Sequence, residues 1–189
     1  MEADWDIDIG PDAPAIEIPW EGFIDLRSRP LSAVDEIQEA ATNPALREAL
    51  TKLNANESGL FSSKCDVWWL DPEEIDKDEF GSQPENTRHA FASYIDVLFS
   101  DEGKFQSFTF HESAVRRLTG ELKATALPDC RVDLVVRSAT VETLSGCGIT
   151  LYAAGCGSDT LAAQVSWQRV LQTAVNATIL LSLSSGAGE

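Results

Sequence analysis

Residues 147–179 restrict the fold more than any other part of the chain. Between 149 and 154, aliphatic residues alternate with threonine, tyrosine and alanine, and this period of two is typical of a half-buried β-strand. Apolar residues then recur every three to four positions from 161 to 179, which predicts a long helix with one buried face. We therefore expect this helix to pack centrally on a sheet to which the strand belongs.

A Gly-Cys-Gly segment at 155–157 separates the predicted strand from the predicted helix. It predicts a turn, after which Ser158 or Asp159 caps the helix. Backbone N–H groups at a helix start attract anions, so Gly155, Gly157 and Ser158 form a candidate anion-binding turn, although the dinucleotide-binding pattern lacks its third glycine. The structural alternative is that the small residues only allow close packing.

The same segment predicts a nucleophile elbow, because small residues stand two positions on either side of Cys156 and a helix start would favour its thiolate. In this interpretation the protein is a cysteine-dependent enzyme, with His111 or His89 as the general base. No spacing ties either histidine to Cys156. The expected pairing of the last two strands as an antiparallel hairpin also differs from the central parallel strand of known elbows.

The chain has 189 residues, of which 43% are hydrophobic and 24% charged, a composition typical of globular proteins. We expect one domain over 1–181 and a flexible Ser/Gly tail at 182–189. An acidic start and the lack of a long apolar run predict a cytoplasmic protein that binds no membrane. The four cysteines show no C-x-x-C pairing and are expected to be reduced thiols, mostly buried in strands: Cys65, Cys130, Cys147 and Cys156.

The net charge of −17 belongs to the first part of the chain. Up to Glu102 there are 24 acidic and 7 basic residues, whereas from Gly103 onward there are 7 of each. Direct nucleic-acid binding is disfavoured, because affinity for phosphates comes largely from Lys and Arg. An acidic face could instead meet a basic protein or imitate nucleic acid, and the alternative is that the charge serves solubility alone.

The candidate binding patch comprises two tryptophans near the end of a predicted strand at 64–70 and six acids in the segment that follows. Its members are Trp68, Trp69, Asp71, Glu73, Glu74, Asp76, Asp78 and Glu79. Adjacent tryptophans in a strand point to opposite faces, so one of them can be exposed beside the acids. The acids lack an ordered ligand spacing, so we expect a solvated loop and neither metal nor cofactor.

The remaining segments predict a single α+β domain with a mixed or antiparallel sheet of four to five strands covered by helices. The N-terminal alternation predicts an acidic edge strand at 4–9, and strands are also expected at 130–137 and 149–154, with a turn near Ser145-Gly146. Helices are expected at 31–53 with a break at Asn43-Pro44, at the start of 71–80, at 85–99 and at 105–122. In the 85–99 helix, His89, Ser93 and Asp96 would share one side, a geometry that suits surface hydrogen bonds better than a catalytic triad.

Two segments suggest an internal duplication with halves at 20–70 and 91–137. Residues 23–26 and 94–97 share an aromatic-Ile-Asp-aliphatic pattern, and each precedes helical segments and a Cys-containing strand. Chance similarity between amphipathic segments is the alternative.

The leading functional hypothesis is a non-catalytic acidic binding protein for a basic partner, acting as an inhibitor, an immunity-type factor or a nucleic-acid mimic. The second is the cysteine-dependent enzyme. The third is a structural or ligand-binding domain whose last helix would allow a homodimer.

Overall fold

A computed structural model describes residues 1–29 and 31–184. Its strands are β1 (Glu2–Asp8), β2 (Ile16–Ile18), β3 (Leu60–Trp69), β4 (His89–Phe99), β5 (Cys130–Val141) and β6 (Leu144–Gly157). Its α-helices are α1 (Gln38–Thr42), α2 (Pro44–Leu53), α3 (Glu102–Gln106), α4 (Phe108–Lys123) and α5 (Thr160–Ser184). Short 3-10 helices lie at Leu31–Glu36, Asn56–Ser58, Pro72–Glu74 and Pro84–Asn86.

The strands form one mixed sheet in the order β1-β5-β6-β4-β3, and β2 pairs with the last part of β5. β1 and β2 run parallel to β5, whereas the other neighbours are antiparallel. The predicted α+β fold with a mixed sheet is confirmed, with six strands instead of four or five. The predicted acidic edge strand is also confirmed, because β1 lies at one edge with Asp4 and Asp6 exposed and Ala3 buried.

Helices α2, α4 and α5 pack on one face of the sheet and enclose the main hydrophobic core. Ile95 of β4, Leu151 of β6 and Leu134 of β5 lie side by side on this face and are fully buried. Trp167 of α5 is buried in the same core, and its indole N–H donates to Ser93 Oγ at 2.9 Å. The predicted central position of the last helix is therefore confirmed.

Helix α5 approaches β6 closely at two glycines. A Cβ atom at Gly155 would lie 2.1 Å from the backbone nitrogen of Trp167, and one at Gly157 would lie 2.4 Å from that of Ala163. Only glycine fits at these positions, because the backbone of the helix occupies the space that a side chain would need.

The turn predicted at 155–157 is wrong, because these residues continue β6 and pair with β4. A glycine pair that permits close helix packing and one that forms a turn have the same sequence pattern. The predicted helix cap is confirmed at Asp159, whose carboxylate accepts the backbone N–H of Ala162 at 2.8 Å.

The helix predicted over 85–99 is wrong, because His89–Phe99 form strand β4. β4 lies inside the sheet, and most of its residues are buried, so its sequence is a nearly continuous apolar run that does not separate helix from strand. Side chains alternate across a strand, so His89 and Ser93 share the helix-covered face while Asp96 points to the opposite face. The one-sided arrangement predicted for these three residues is therefore wrong.

Other predicted segments agree in part. Residues 31–53 form helical segments interrupted at Asn43, and residues 105–122 fall within α3 and α4, as predicted. Within 71–80, the predicted helix start is only the 3-10 turn Pro72–Glu74. β5 and β6 form the predicted hairpin, but β6 already begins at Leu144, so a turn near 145–146 is wrong.

Ser182 does not belong to a loose tail, since it lies buried in α5 and its hydroxyl donates to the Ser58 carbonyl oxygen. Residues 185–189 of the predicted tail lie outside the described residues. The two segments that suggest a duplication differ in structure, because 94–97 lie within β4 whereas 23–26 lie outside any strand or helix.

We predict that Gly155→Ala lowers the free energy of unfolding by about 3 kcal/mol or more, because the added methyl group forces α5 away from β6. Gly120 in α4 is the matched control, since a Cβ there meets nothing within 4 Å. Gly120→Ala should raise stability by up to about 1 kcal/mol. Urea unfolding followed by circular dichroism measures both values, and a cost below about 1 kcal/mol at Gly155 would contradict the packing account.

Candidate binding face

Two chain segments cover the ends of the other sheet face, and Phe105 of the short helix α3 joins one of them. At one end, the N-terminal flap (residues 10–29) buries Ile16. At the other end, the acidic flap (residues 70–88) buries Phe80 against Ala90. We call the sheet surface between these flaps the open face. Its residues include Trp68, Tyr94, Asp96, Asp133, Val135, Arg137, Thr150 and Tyr152.

Three half-buried aromatic side chains form a row across the open face. The ring centroids of Trp68 and Tyr94 are 6.3 Å apart, and those of Tyr94 and Tyr152 are 5.9 Å apart. The strands β3, β4 and β6 each contribute one ring. Aromatic rings that are neither fully buried nor isolated offer flat apolar surface to a ligand.

Carboxylates flank Tyr94 and Tyr152 towards both edges of the sheet. The strand registers place Asp66, Tyr94, Tyr152, Asp133 and Asp4 next to one another in that order across β3, β4, β6, β5 and β1. The two edge aspartates accept hydrogen bonds from the backbone N–H groups that follow them, at 2.9 Å for Asp4 and 2.7 Å for Asp66. The open face therefore has an aromatic centre and acidic edges.

An acidic cavity of about 380 Å³ lies between the open face and the acidic flap. Trp68 and Tyr152 contribute apolar surface, and Glu74, Glu79 and Asp133 contribute carboxylates. One cation also lines it, Arg131, which donates to both Asp133 oxygens at 2.7 and 3.0 Å and lies 2.5 Å from a Glu79 oxygen. The Arg131 guanidinium is therefore paired with two carboxylates of the same cavity, those of Asp133 and Glu79.

A basic cavity of about 320 Å³ lies between the open face and the N-terminal flap, and it shares Tyr152 with the acidic cavity. Its charged lining residues are Lys64, Asp96 and Arg137. Asp96 is buried and accepts a hydrogen bond from Thr150 Oγ1 at 2.6 Å. Burial raises the pKa of the Asp96 carboxyl, and the hydrogen bond from Thr150 and the nearby cations oppose this shift.

The structure separates the members of the predicted binding patch. Trp68 lies on the open face, whereas Trp69 lies on the helix side, 43% exposed and edge-on to Phe91. The six predicted acids are exposed on the acidic flap, and Glu74 and Glu79 also reach the acidic cavity. The full list of these acids is Asp71, Glu73, Glu74, Asp76, Asp78 and Glu79.

Sequence reasoning missed Tyr94 and the aspartates of β1 as members of this face. The helix predicted over 85–99 does not bring Tyr94 near Tyr152, whereas the observed strand β4 places the two side by side. The alternation of acids in β1 was a usable signal, but parallel pairing with β5 is a long-range contact that local patterns do not encode.

The structure does not bring the residues of the hypothetical cysteine site together. Cys156 is completely buried against Phe80 and Ala90, and burial raises its pKa to about 11. His89 is opposite Gly157 in the ladder, but its side chain points to the other sheet face from that of Cys156.

His111 lies near the opposite end of β6. Burial lowers the pKa of His111, and its Nδ1 atom is 2.9 Å from the Ser107 carbonyl oxygen. His111 contacts the Cys147 region, and the nine residues from Cys147 to Cys156 span about 30 Å of extended strand. A histidine at that distance cannot act as a base for Cys156.

The two glycines of the candidate anion-binding turn do not form a turn. Gly155 and Gly157 are strand residues, and the Gly157 carbonyl accepts the N–H of Arg88 at 3.3 Å. Ser158 is exposed between β6 and α5.

Within residues 1–29 and 31–184, no group of three or more His, Cys, Asp or Glu side chains is arranged to hold a metal ion. Among the described helices, none combines the length and apolar character that crossing a membrane requires. Comparison with protein-family models, curated proteins and solved structures gave no match. The arguments about function therefore rest on the residues of this chain.

We predict that the four cysteines of the folded protein react slowly with iodoacetamide at pH 8. Burial raises the pKa of all four thiols, to about 12 for Cys65 and Cys130 and to about 11 for Cys156. The thiolate fractions of these last three are at least about 100-fold below that of an ordinary thiol. Mass spectrometry of the labelled protein, with the urea-unfolded chain as control, measures the rates. Rapid labelling of Cys156 would revive the enzyme hypothesis.

We predict that Asp96→Asn raises the free energy of unfolding at pH 7, by about 1.4 kcal/mol for each unit by which folding raises the Asp96 pKa. Below the ordinary pKa of an aspartate, the carboxyl is protonated in both states, so the gain disappears. As pH rises through the raised pKa, the folded wild-type protein carries the cost of ionising a buried group.

Urea unfolding at pH 3.5 and pH 7 measures this difference. Asp133→Asn is the control, because it removes a partner of Arg131 and should be neutral or destabilising at pH 7. Destabilisation by Asp96→Asn at pH 7 would contradict the assignment of Asp96 as a carboxyl whose ionised form is disfavoured.

Proposed function

We propose that this chain is a non-catalytic binding protein that holds a basic protein partner on its open face. The observation that carries the proposal is the row of Asp66, Tyr94, Tyr152, Asp133 and Asp4 across one sheet surface. Carboxylates and aromatic faces are the groups that bind Lys and Arg side chains, through charge-assisted hydrogen bonds and cation–π contacts.

The acids at the edges of the open face are available to a partner. Asp4, Asp6 and Asp66 make no ion pair with a described residue, and the hydrogen bonds to their following N–H groups leave one carboxylate oxygen of each free of those bonds. A charge of −17 adds long-range attraction for a cationic protein, which speeds association and makes it sensitive to salt.

The acidic cavity gives the partner a place to anchor. The aliphatic stem of a partner's arginine or lysine would pack on Trp68 and Tyr152, and its cationic head would reach the carboxylate of Glu74. Buried anchors of this kind dominate the affinity of protein interfaces. Inhibition of a basic enzyme, an immunity-type role and imitation of nucleic acid all use such a surface.

A test compares two triple variants that each remove three negative charges, at different places on the surface. Asp4→Asn, Asp6→Asn and Asp66→Asn neutralise the open face, whereas Glu57→Gln, Glu102→Gln and Glu142→Gln neutralise exposed acids elsewhere. Isothermal titration calorimetry with a ten-residue Arg/Lys peptide should show at least a tenfold loss of affinity for the first variant and less than a twofold loss for the second.

Trp68→Ala should weaken peptide binding by about tenfold, while Trp69→Ala should leave it within twofold, because only Trp68 faces the acidic cavity. Raising the salt concentration from 50 to 300 mM should weaken wild-type binding. Equal losses for both triple variants would mean that net charge alone attracts the peptide and would contradict a defined binding face.

A further inference from the structure

We propose that the basic cavity is a binding site for a small organic anion, whose carboxylate or phosphate contacts Lys64 and Arg137 and whose apolar part lies on Tyr94 and Tyr152. This inference is independent of the proposed protein partner, since it concerns a different cavity and an opposite charge. It starts from an unusual placement of two cations in a chain with 14 basic and 31 acidic residues.

Arg137 forms only a long ion pair with a described carboxylate. Its nearest described carboxylate oxygen, on Asp8, is 3.5 Å away, and its hydrogen bonds to the Tyr152 hydroxyl and the Pro14 carbonyl oxygen are 3.3 and 3.4 Å long. Its Nε atom is buried and has no hydrogen-bond partner among the described residues. A guanidinium whose side chain is only 13% exposed is costly to leave so weakly bonded, and an anion would satisfy it.

Arg131 is a comparable arginine on the same sheet face, and its guanidinium forms short ion pairs. It lies on the same strand and the same face, six residues before Arg137, and it makes contacts of 2.5 and 2.7 Å with Glu79 and Asp133. The contrast between the two arginines indicates that weak bonding of Arg137 is a property of its cavity and not of this sheet face in general.

Lys64 provides a second cation to the same cavity. Its ammonium group lies 5.5 Å from the ring centroid of Trp20 and forms no ion pair with a described carboxylate. The one carboxylate among the lining residues is Asp96, whose Oδ1 atom is occupied by the Thr150 hydroxyl. Among the residues that line the cavity, two cations therefore face one carboxyl, and Asp8, which pairs with Arg137 at 3.5 Å, lies outside the lining.

The volume of the cavity suits a small ligand. Its volume of about 320 Å³ lies near the lower end of the range of roughly 300–1,000 Å³ that is usual for small-molecule sites. Tyr94 and Tyr152 provide aromatic surface, and Ile16 of the N-terminal flap provides an apolar wall. Burial raises the pKa of Tyr94 to about 12, so its hydroxyl remains a hydrogen-bond donor at neutral pH.

The test uses benzoate and phenyl phosphate as probes, with benzamide as the neutral analogue of benzoate. Titrations followed by protein NMR should show saturable binding of at least one anion, with at least tenfold weaker binding of benzamide. Preference for benzoate would identify a carboxylate ligand, and preference for phenyl phosphate would identify a phosphate ligand. Equal binding of benzoate and benzamide, or binding of no probe, would overturn the proposal.

Substitutions assign the site. Lys64→Gln and Arg137→Gln should each weaken anion binding by about tenfold, whereas the control Arg131→Gln should change it less than twofold. Lys64→Gln makes the test decisive even if Arg137→Gln disturbs the contact with Pro14, and an unchanged affinity in Lys64→Gln would overturn the proposal. The variant Asp4→Asn, Asp6→Asn and Asp66→Asn should keep anion binding, which separates this site from the proposed protein-binding face.

Discussion

The close contact between helix α5 and strand β6 is the constraint on which the remaining structure depends. Gly155 and Gly157 let the backbone of α5 lie where side chains would otherwise stand, and Trp167 then reaches Ser93 of β4 through the core. The helix thereby covers the two central strands, and α2 and α4 pack on either side of it. Because the long helices share one face, the opposite face is covered at its ends by the two flaps and by Phe105 of α3.

This asymmetry gives the sheet two different surfaces from the same strands. Residues that alternate along β4, β5 and β6 supply the apolar core on one side and tyrosines, aspartates and arginines on the other. The two cavities of the open face share Tyr152 but differ in charge, since carboxylates outnumber cations in one and cations outnumber carboxylates in the other. This difference in charge is the basis for proposing a cationic macromolecule and a small anion as ligands at separate positions.

Local sequence patterns were sufficient to predict the class of fold, the edge strand β1, the hairpin of β5 and β6 and the central last helix. They failed where long-range contacts decide the outcome. The apolar run of β4 suits a helix as well as a buried strand, and only its neighbours in the sheet determine which forms. The glycines at 155 and 157 indicate a special backbone position, but not whether a turn or a close helix requires it. For the same reason the sequence pattern placed Trp68 in the candidate binding patch but did not place Tyr94 beside it.

The central claim is that the open face, and not the helix-covered side, is the binding surface. Hydroxyl-radical footprinting with tandem mass spectrometry, on the free protein and with the Arg/Lys peptide bound, tests it most directly. The account predicts that the peptide protects Trp68, Tyr94 and Tyr152, while Trp69, which is 43% exposed on the other side of the same strand, keeps its oxidation rate. Protection of Trp69 with unchanged oxidation of Tyr94 and Tyr152 would contradict the account.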